Sequence, residues 1–183
     1  MHMKNVAVLL ILMTLLFTGC ATPPEESEYS LVTEGDPSRI YTIDSMKPAN
    51  VEIEYEQSVS FDASFPFPAS HRYYGDLEVR TLDREGGEAI YFLKTMVEGY
   101  QTPKGIGVGE TKESFFEAYG EKNLIRKDTW EWSPDSGEPQ FDEVYGFVPD
   151  DGTSNYIAFF LYENTLVMIE IADGLDGRPI ADF

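Results

Sequence analysis

The 183-residue chain holds one cysteine, two histidines and two tryptophans, and sets 13 basic residues against 33 acidic ones. Each scarcity excludes something. With Cys20 as the only cysteine, no intramolecular disulfide can support the fold, so packing alone must hold the core. Beyond the amino-terminal His2 the only histidine is His71. A histidine-rich zinc site is therefore not expected, and a Ser–His or Cys–His centre would have to rest on that one residue. Its Ser- and aromatic-rich setting reads as a surface loop. The net charge of −20 opposes nucleic acid, whose affinity comes largely from Lys and Arg neutralising phosphates. No nucleic-acid partner and no cofactor are expected, and the excess of acid reads first as a soluble surface. No apolar run approaches the roughly 20 residues that span a bilayer.

The longest apolar run, Val6 to Phe17, follows Lys4 and closes on Thr18-Gly19-Cys20. A basic start, a short apolar centre and small residues at a cut site make a secretory signal. The residues before Cys20 resemble the lipobox of bacterial lipoproteins, with Phe17 where Leu is usual. The resemblance implies lipid on the Cys20 sulfur, cleavage after Gly19, palmitate or similar acyl chains, and a place on the outer face of the cell membrane. Acyl chains anchor at about 0.8 kcal/mol per buried methylene. Without residues 1–19 the chain has 12 basic and 33 acidic residues, a net −21. Residues 20–36 open as Cys-Ala-Thr-Pro-Pro-Glu-Glu-Ser-Glu, too polar to offset their ordering entropy. They read as an acidic linker, and residues 37–183 as one domain large enough for its own core.

Within that domain Val51 to Glu56 alternates apolar and acidic residues with period two, the mark of a strand with one wet face. Ser58 to Arg72, with Phe65-Pro66-Phe67-Pro68, reads as a long irregular connection. Asp76–Asp83 and Glu88–Val97 read as a hairpin. Thr102-Pro103-Lys104-Gly105 interrupts the sheet, and Lys112–Tyr119 is the clearest helix. Thr111 is placed to cap it, Gly120 to close it, and Phe115, Ala118 and Tyr119 to face the core. Further strands are expected at Leu124–Trp132, Asp142–Val148, Asn155–Tyr162 and Leu166–Ala172. A tight turn at Glu163-Asn164-Thr165 joins the last two. Consecutive strands without a βαβ rhythm predict an α+β fold, an antiparallel sheet with one or two short helices packed on one face.

The run from Tyr100 through Thr102-Pro103-Lys104-Gly105-Ile106 to Gly109-Glu110-Thr111-Lys112, then Phe115 and Tyr119-Gly120, resembles a pattern of uncharacterised Gram-positive lipoproteins. There Thr-Pro-Arg-Gly-Ile precedes a helix cap, a short helix and Tyr-Gly. The helix-then-hairpin order is similar to the β-lactamase-inhibitor-protein-like, or BamE-like, group. That resemblance spans roughly residues 89–172 and implies a fold and a tendency to bind proteins. Neither β-lactamase inhibition nor barrel assembly is carried over, since the disulfide cysteines and a duplicated half are lacking.

Other chemistry is thinner. Gly105-Ile106-Gly107-Val108-Gly109 is followed by Glu110-Thr111, not by the Gly-Lys-Ser/Thr of a phosphate loop, and the acid would repel phosphate. Asp150-Asp151-Gly152 and Asp173 to Gly177 lack the alternation of a calcium loop and read as turns. The most suggestive feature is aromatic. Tyr156, Phe160 and Tyr162 alternate with Ile157, Phe159 and Leu161, and the next strand sets Val167, Ile169 and Ile171 against Leu166, Met168 and Glu170. If a helix covers only the aliphatic side, Tyr156, Phe160, Tyr162, Trp130 and Trp132 form an open partner-binding face. If other segments cover it, they are core. The functional expectation is a non-catalytic envelope module binding a protein or wall component. A carboxylate-based glycan hydrolase and a small-ligand carrier are the alternatives.

Overall fold

The structure, a computed structural model, describes residues 27–44, 57–61, 69–74, 77–84, 87–127, 132–148 and 154–173. They form mostly antiparallel sheet with a single short α-helix, a sheet-rich α+β arrangement. The strands are β1 Ser30–Thr33, β2 Asp36–Thr42, β3 Gln57–Phe61, β4 Ala69–Tyr74, β5 Leu77–Arg84, β6 Gly87–Thr95 and β7 Tyr100–Gln101. After the helix α1, Lys112–Tyr119, come β8 Leu124–Lys127, β9 Glu143–Phe147, β10 Tyr156–Tyr162 and β11 Thr165–Ala172. Eight strands pair in the order β3-β4-β5-β6-β11-β10-β9-β8, and a small sheet has the order β2-β1-β7.

Local chemistry accounts for most of these elements. Thr111 accepts the Ser114 N–H at 3.2 Å, and Gly120 closes α1 with φ 75° while donating to the Phe116 carbonyl at 2.9 Å. Glu163 and Asn164 both take positive φ, 50° and 65°, as the tight β10–β11 turn requires. The hairpin of β5 and β6 forms with Arg84 opposite Gly87.

Two sides of the large sheet carry separate cores. On one, Ile157, Phe159 and Leu161 join Leu77, Val79, Leu93, Ile169 and Ile171. The layer against them is shared, because Phe115 and Tyr119 of α1 meet Phe159 at ring separations of 4.5 and 4.8 Å, while Tyr29, Leu31, Tyr41 and Ile43 come from the small sheet and its flanks. The other side gathers Leu82, Tyr91, Phe92, Phe141, Val144, Tyr156, Phe160 and Met168.

Bulges decide which residues go where. The register of β5 with β6 shifts so that Tyr91 is extra, and Tyr91 and Phe92 both join the second cluster. A like shift at Val167 overturns the expected alternation, for Leu166 sides with Ile169 and Ile171 while Val167 packs with Met168.

Three expectations need correction. The linker was expected to run to residue 36, yet β1 and the start of β2 lie within 30–36, and Tyr29 and Leu31 are buried. Apolar side chains at Tyr29 and Leu31, two apart, outweigh the acidic neighbours. The connection from Ser58 to Arg72 contains most of β3 and β4, since pairing of β3 with β4 and of β4 with β5 satisfies a backbone whose side chains lack a strong pattern. His71 is accordingly a strand residue, opposite Val59 and Arg80. The strand expected at Val51–Glu56, the Pro66 and Pro68 region and the runs 150–152 and 174–177 lie outside the described residues.

Candidate functional site

The aromatic face is not open. Tyr156 is wholly buried and Phe160 is 2% exposed. Phe141 stacks edge-on against Phe160 at 5.1 Å, and Trp132 packs on the same cluster while its indole N–H donates to the Glu138 carbonyl at 3.2 Å. Segment 132–141 thus covers this side, and the expectation of a partner-binding face at Tyr156 and Phe160 is overturned. Tyr162, at the strand end, is half-buried, and Glu163 beside it raises its phenol pKa above the ordinary value. Trp130 and Cys20 lie outside the described residues; of the other aromatic candidates, Tyr156, Phe160 and Trp132 come together in the second core cluster.

Beneath segment 132–141 lies a charge network that alternation alone marks as wet. Glu78, 6% exposed, sits opposite Lys94, and Lys94 sits opposite Glu170, 1% exposed, across three adjacent strands. Glu78 takes Arg80 at 2.8 Å and Lys94 at 3.2 Å, and Lys94 reaches Glu138 at 3.4 Å. The Arg80 guanidinium also lies 4.0 Å over the Phe92 ring. Burial pushes the Glu78 carboxyl up, but Lys94 and Arg80 outweigh it and hold the group below the usual glutamate range. Burial likewise pulls Lys94 down, and Glu78, Glu170 and Glu138 together carry it above its ordinary value. Both shifts favour the charged forms, opposite to the raised carboxyl a general acid requires. The network therefore has the chemistry of a clasp.

A different surface is built by the glycine-rich turn. Thr102 N–H donates to the Ile106 carbonyl, and Ile106 N–H to the Thr102 hydroxyl, so the chain doubles back at Pro103-Lys104-Gly105. Gly107 then bridges to Gln101. A Cβ at Gly107 would stand 2.7 Å from the Tyr100 carbonyl oxygen, so only glycine allows that approach. Gly109 N–H donates to Leu166, Leu166 N–H to Glu110, and Lys112 N–H to Asn164, which ties the turn to the β10–β11 hairpin. On the other flank Glu34 N–H donates to Gly99.

These contacts enclose an open cleft of about 290 Å³, lined by Glu34, Glu98 and Glu110 together with Tyr100, Gln101, Val108 and the glycines Gly105, Gly107 and Gly109. Its described lining has three carboxylates and no basic side chain. It suits hydrogen-bond donors or a basic group and repels phosphate. Lys104, just outside, is engaged elsewhere: its ammonium lies 3.3 Å from Glu28 and 4.5 and 4.7 Å from the Tyr119 and Phe147 ring centres. Lys112 is likewise held by Glu143 against the faces of Phe116 and Tyr145, and that hydrogen bond raises its pKa.

Among the described residues no group of three His, Cys, Asp or Glu side chains is placed to hold a metal ion. Among them, too, no helix is long and apolar enough to cross a membrane. The cleft was half legible, since the glycine run reads as the turn into α1, but Glu34 comes from some 70 residues away. The Glu78–Lys94 pair had a signal in the hairpin register, because setting Arg84 opposite Gly87 and allowing one bulge brings the two together. No family model matches the chain, and no curated protein or solved structure matches it either.

Proposed function

We propose that the chain is a lipid-anchored envelope protein whose domain binds a basic or donor-rich segment of an envelope protein or wall component, without catalysis, at the outer face of the membrane. The observation that carries the anchor is Lys4, the apolar run to Phe17 and Thr18-Gly19-Cys20. The resemblance of Tyr100 to Gly120 to Gram-positive lipoproteins supports the same reading. With Tyr156 and Phe160 in the core, binding is assigned to the cleft at Glu34, Glu98 and Glu110, which the most motif-like part of the chain builds.

The test is photo-crosslinking in cells, with a probe at Glu34, Glu98 or Gln101 in turn and control probes at Met96 and Ile125, the exposed large hydrophobic residues among those described. One dominant protein or wall fragment captured from the cleft positions, and not from the controls, is the expected result. Equal capture everywhere, or none, would remove the cleft as the binding surface. In parallel Cys20→Ser is expected to leave the membrane fraction. A variant still partitioning with detergent would refute the anchor.

A further inference from the structure

The two sides of the large sheet are covered by different means. On the side of α1 the cover is stitched down through backbone. Asp44 N–H donates to the Ile90 carbonyl, Gly109 N–H to Leu166, Leu166 N–H to Glu110 and Lys112 N–H to Asn164. On the other side the cover is segment 132–141, and its hydrogen bonds turn inward. Ser136 donates to the Ser133 carbonyl through both its N–H, at 3.1 Å, and its hydroxyl, at 2.8 Å. Asp135 N–H donates to the Ser133 hydroxyl and Glu138 N–H to the Ser136 hydroxyl. The Trp132 indole N–H then closes the loop on the Glu138 carbonyl.

Among the described residues only one hydrogen bond leaves this segment, from the Lys94 ammonium to Glu138 at 3.4 Å, and Glu138 is 27% exposed. The first backbone tie to the sheet follows the segment, where Asp142 N–H donates to the Leu161 carbonyl at 2.9 Å. What holds 132–141 down is therefore side chains: the Trp132 ring, the Lys94–Glu138 pair and Phe141 against Phe160. Ser133 to Gly137, between these anchors, are exposed.

Release of the segment would thus break no ladder hydrogen bond of any strand and would leave its own turn intact. Local openings of this kind cost less than global unfolding, since few buried contacts are lost and the rest of the fold persists. The network underneath also keeps its partners, because Glu78 retains Arg80 at 2.8 Å and Lys94 at 3.2 Å. Pro134 and Pro139 narrow the conformations open to the released loop, which favours redocking as one body.

We propose that segment 132–141 is a strap that undocks from the sheet as a unit, its carboxyl-terminal end held at Asp142, while the side under α1 stays packed. Opening turns Phe160, Met168 and the Glu78–Lys94 pair from interior into accessible surface, and closing hides them again. One cover of the sheet is permanent and the other removable.

Met168 reports the opening without a label. It is wholly buried opposite Phe160, and two residues on Glu170 faces Lys94, so it lies between two of the anchors. Met96, 38% exposed, is the internal reference for an accessible thioether. The full-length chain is treated with hydrogen peroxide, and mass spectrometry follows sulfoxide at both positions. Protection of Met168 is its rate relative to Met96. In the parent chain it is expected to be at least about tenfold weaker than the protection of β10 amides against hydrogen exchange. It should also change little with urea below the unfolding midpoint, since a local opening exposes little surface. Phe141→Ala is expected to lower Met168 protection by about tenfold or more. Glu138→Gln, which keeps the rings and serves should Phe141→Ala fail to fold, is expected to lower it about two- to fivefold. Thr111→Ala loosens the other cover, and is expected to lower β10 protection while leaving that of Met168 unchanged. Met168 protection that equals that of β10 in the parent, or falls with it in Thr111→Ala, shows opening by global unfolding and overturns the strap. Unchanged Met168 protection in the strap variants overturns it as well.

Discussion

Gly107 shows how one missing side chain shapes a surface. The Tyr100 carbonyl oxygen occupies the space a Cβ would need, at 2.7 Å, and as backbone it is not the flexible end of a side chain that could yield. Gly107→Ala is expected to cost about 1–3 kcal/mol, the usual range for overpacking. It should lower Tm in thermal unfolding and weaken cleft crosslinking. Glu78 is the second decisive residue. Its carboxyl is held below the unfolded value of 4.5, so its stabilisation is complete above that value and is lost as pH falls through the folded one. Glu78→Gln is expected to lose about 1.5–3 kcal/mol at neutral pH, typical of hydrogen bonds to charged groups. The variant's urea midpoint should also change less between pH 6 and pH 3 than that of the parent chain. Equal acid dependence in both would show that other carboxylates govern it. Lys94 has the opposite sign: its raised pKa gives stability that is complete below 10.5 and fades as pH rises through the folded value.

At the scale of elements, α1 has eight residues, too few to persist in water unaided. It exists because Phe115 and Tyr119 are buried against Phe159, Tyr145 and Phe147, and because Thr111 caps its start. Thr111→Ala should cost about 0.5–2 kcal/mol, the common range for a lost N-cap. Hydrogen exchange is expected to accelerate first at Lys112 to Phe115, next to the unsatisfied Ser114 N–H. The bulges at Tyr91 and Val167 act as elements too. Each moves one residue to the opposite side of its strand, so that Tyr91 and Phe92 both serve the second core. Strict period-two alternation carries no sign of such shifts and assigns Leu166 and Val167 to each other's faces.

At the scale of the whole molecule, the large sheet is packed on both sides, and this governs where binding can occur. Helix and small sheet share one cover, and segment 132–141 lies over the other side with Trp132, Glu138 and Phe141. Phe160 is consequently a core residue. Phe160→Ala is expected to cost about 3–5 kcal/mol in denaturant unfolding, as for a buried aromatic, where an exposed contact residue would cost little. A cost below about 0.5 kcal/mol would restore the open face.

Several features were legible from residues alone because their causes are local: Thr111 and Gly120 delimit α1, Asn164 makes its turn, and the β5–β6 hairpin follows from alternation around a break. What covers each side of the sheet is decided elsewhere, since burial depends on segments distant in sequence whose own patterns are weak. Segment 132–141 carries no strand or helix pattern, yet Phe141 packs on Phe160 and Glu138 meets Lys94, and on this side Tyr156, Phe160, Glu78 and Glu170 are interior. The cleft has the same origin. The glycine run dictates a turn, but Glu34 and Glu98 come to it through the pairing of β1 with β7, a long-range contact that no local pattern encodes.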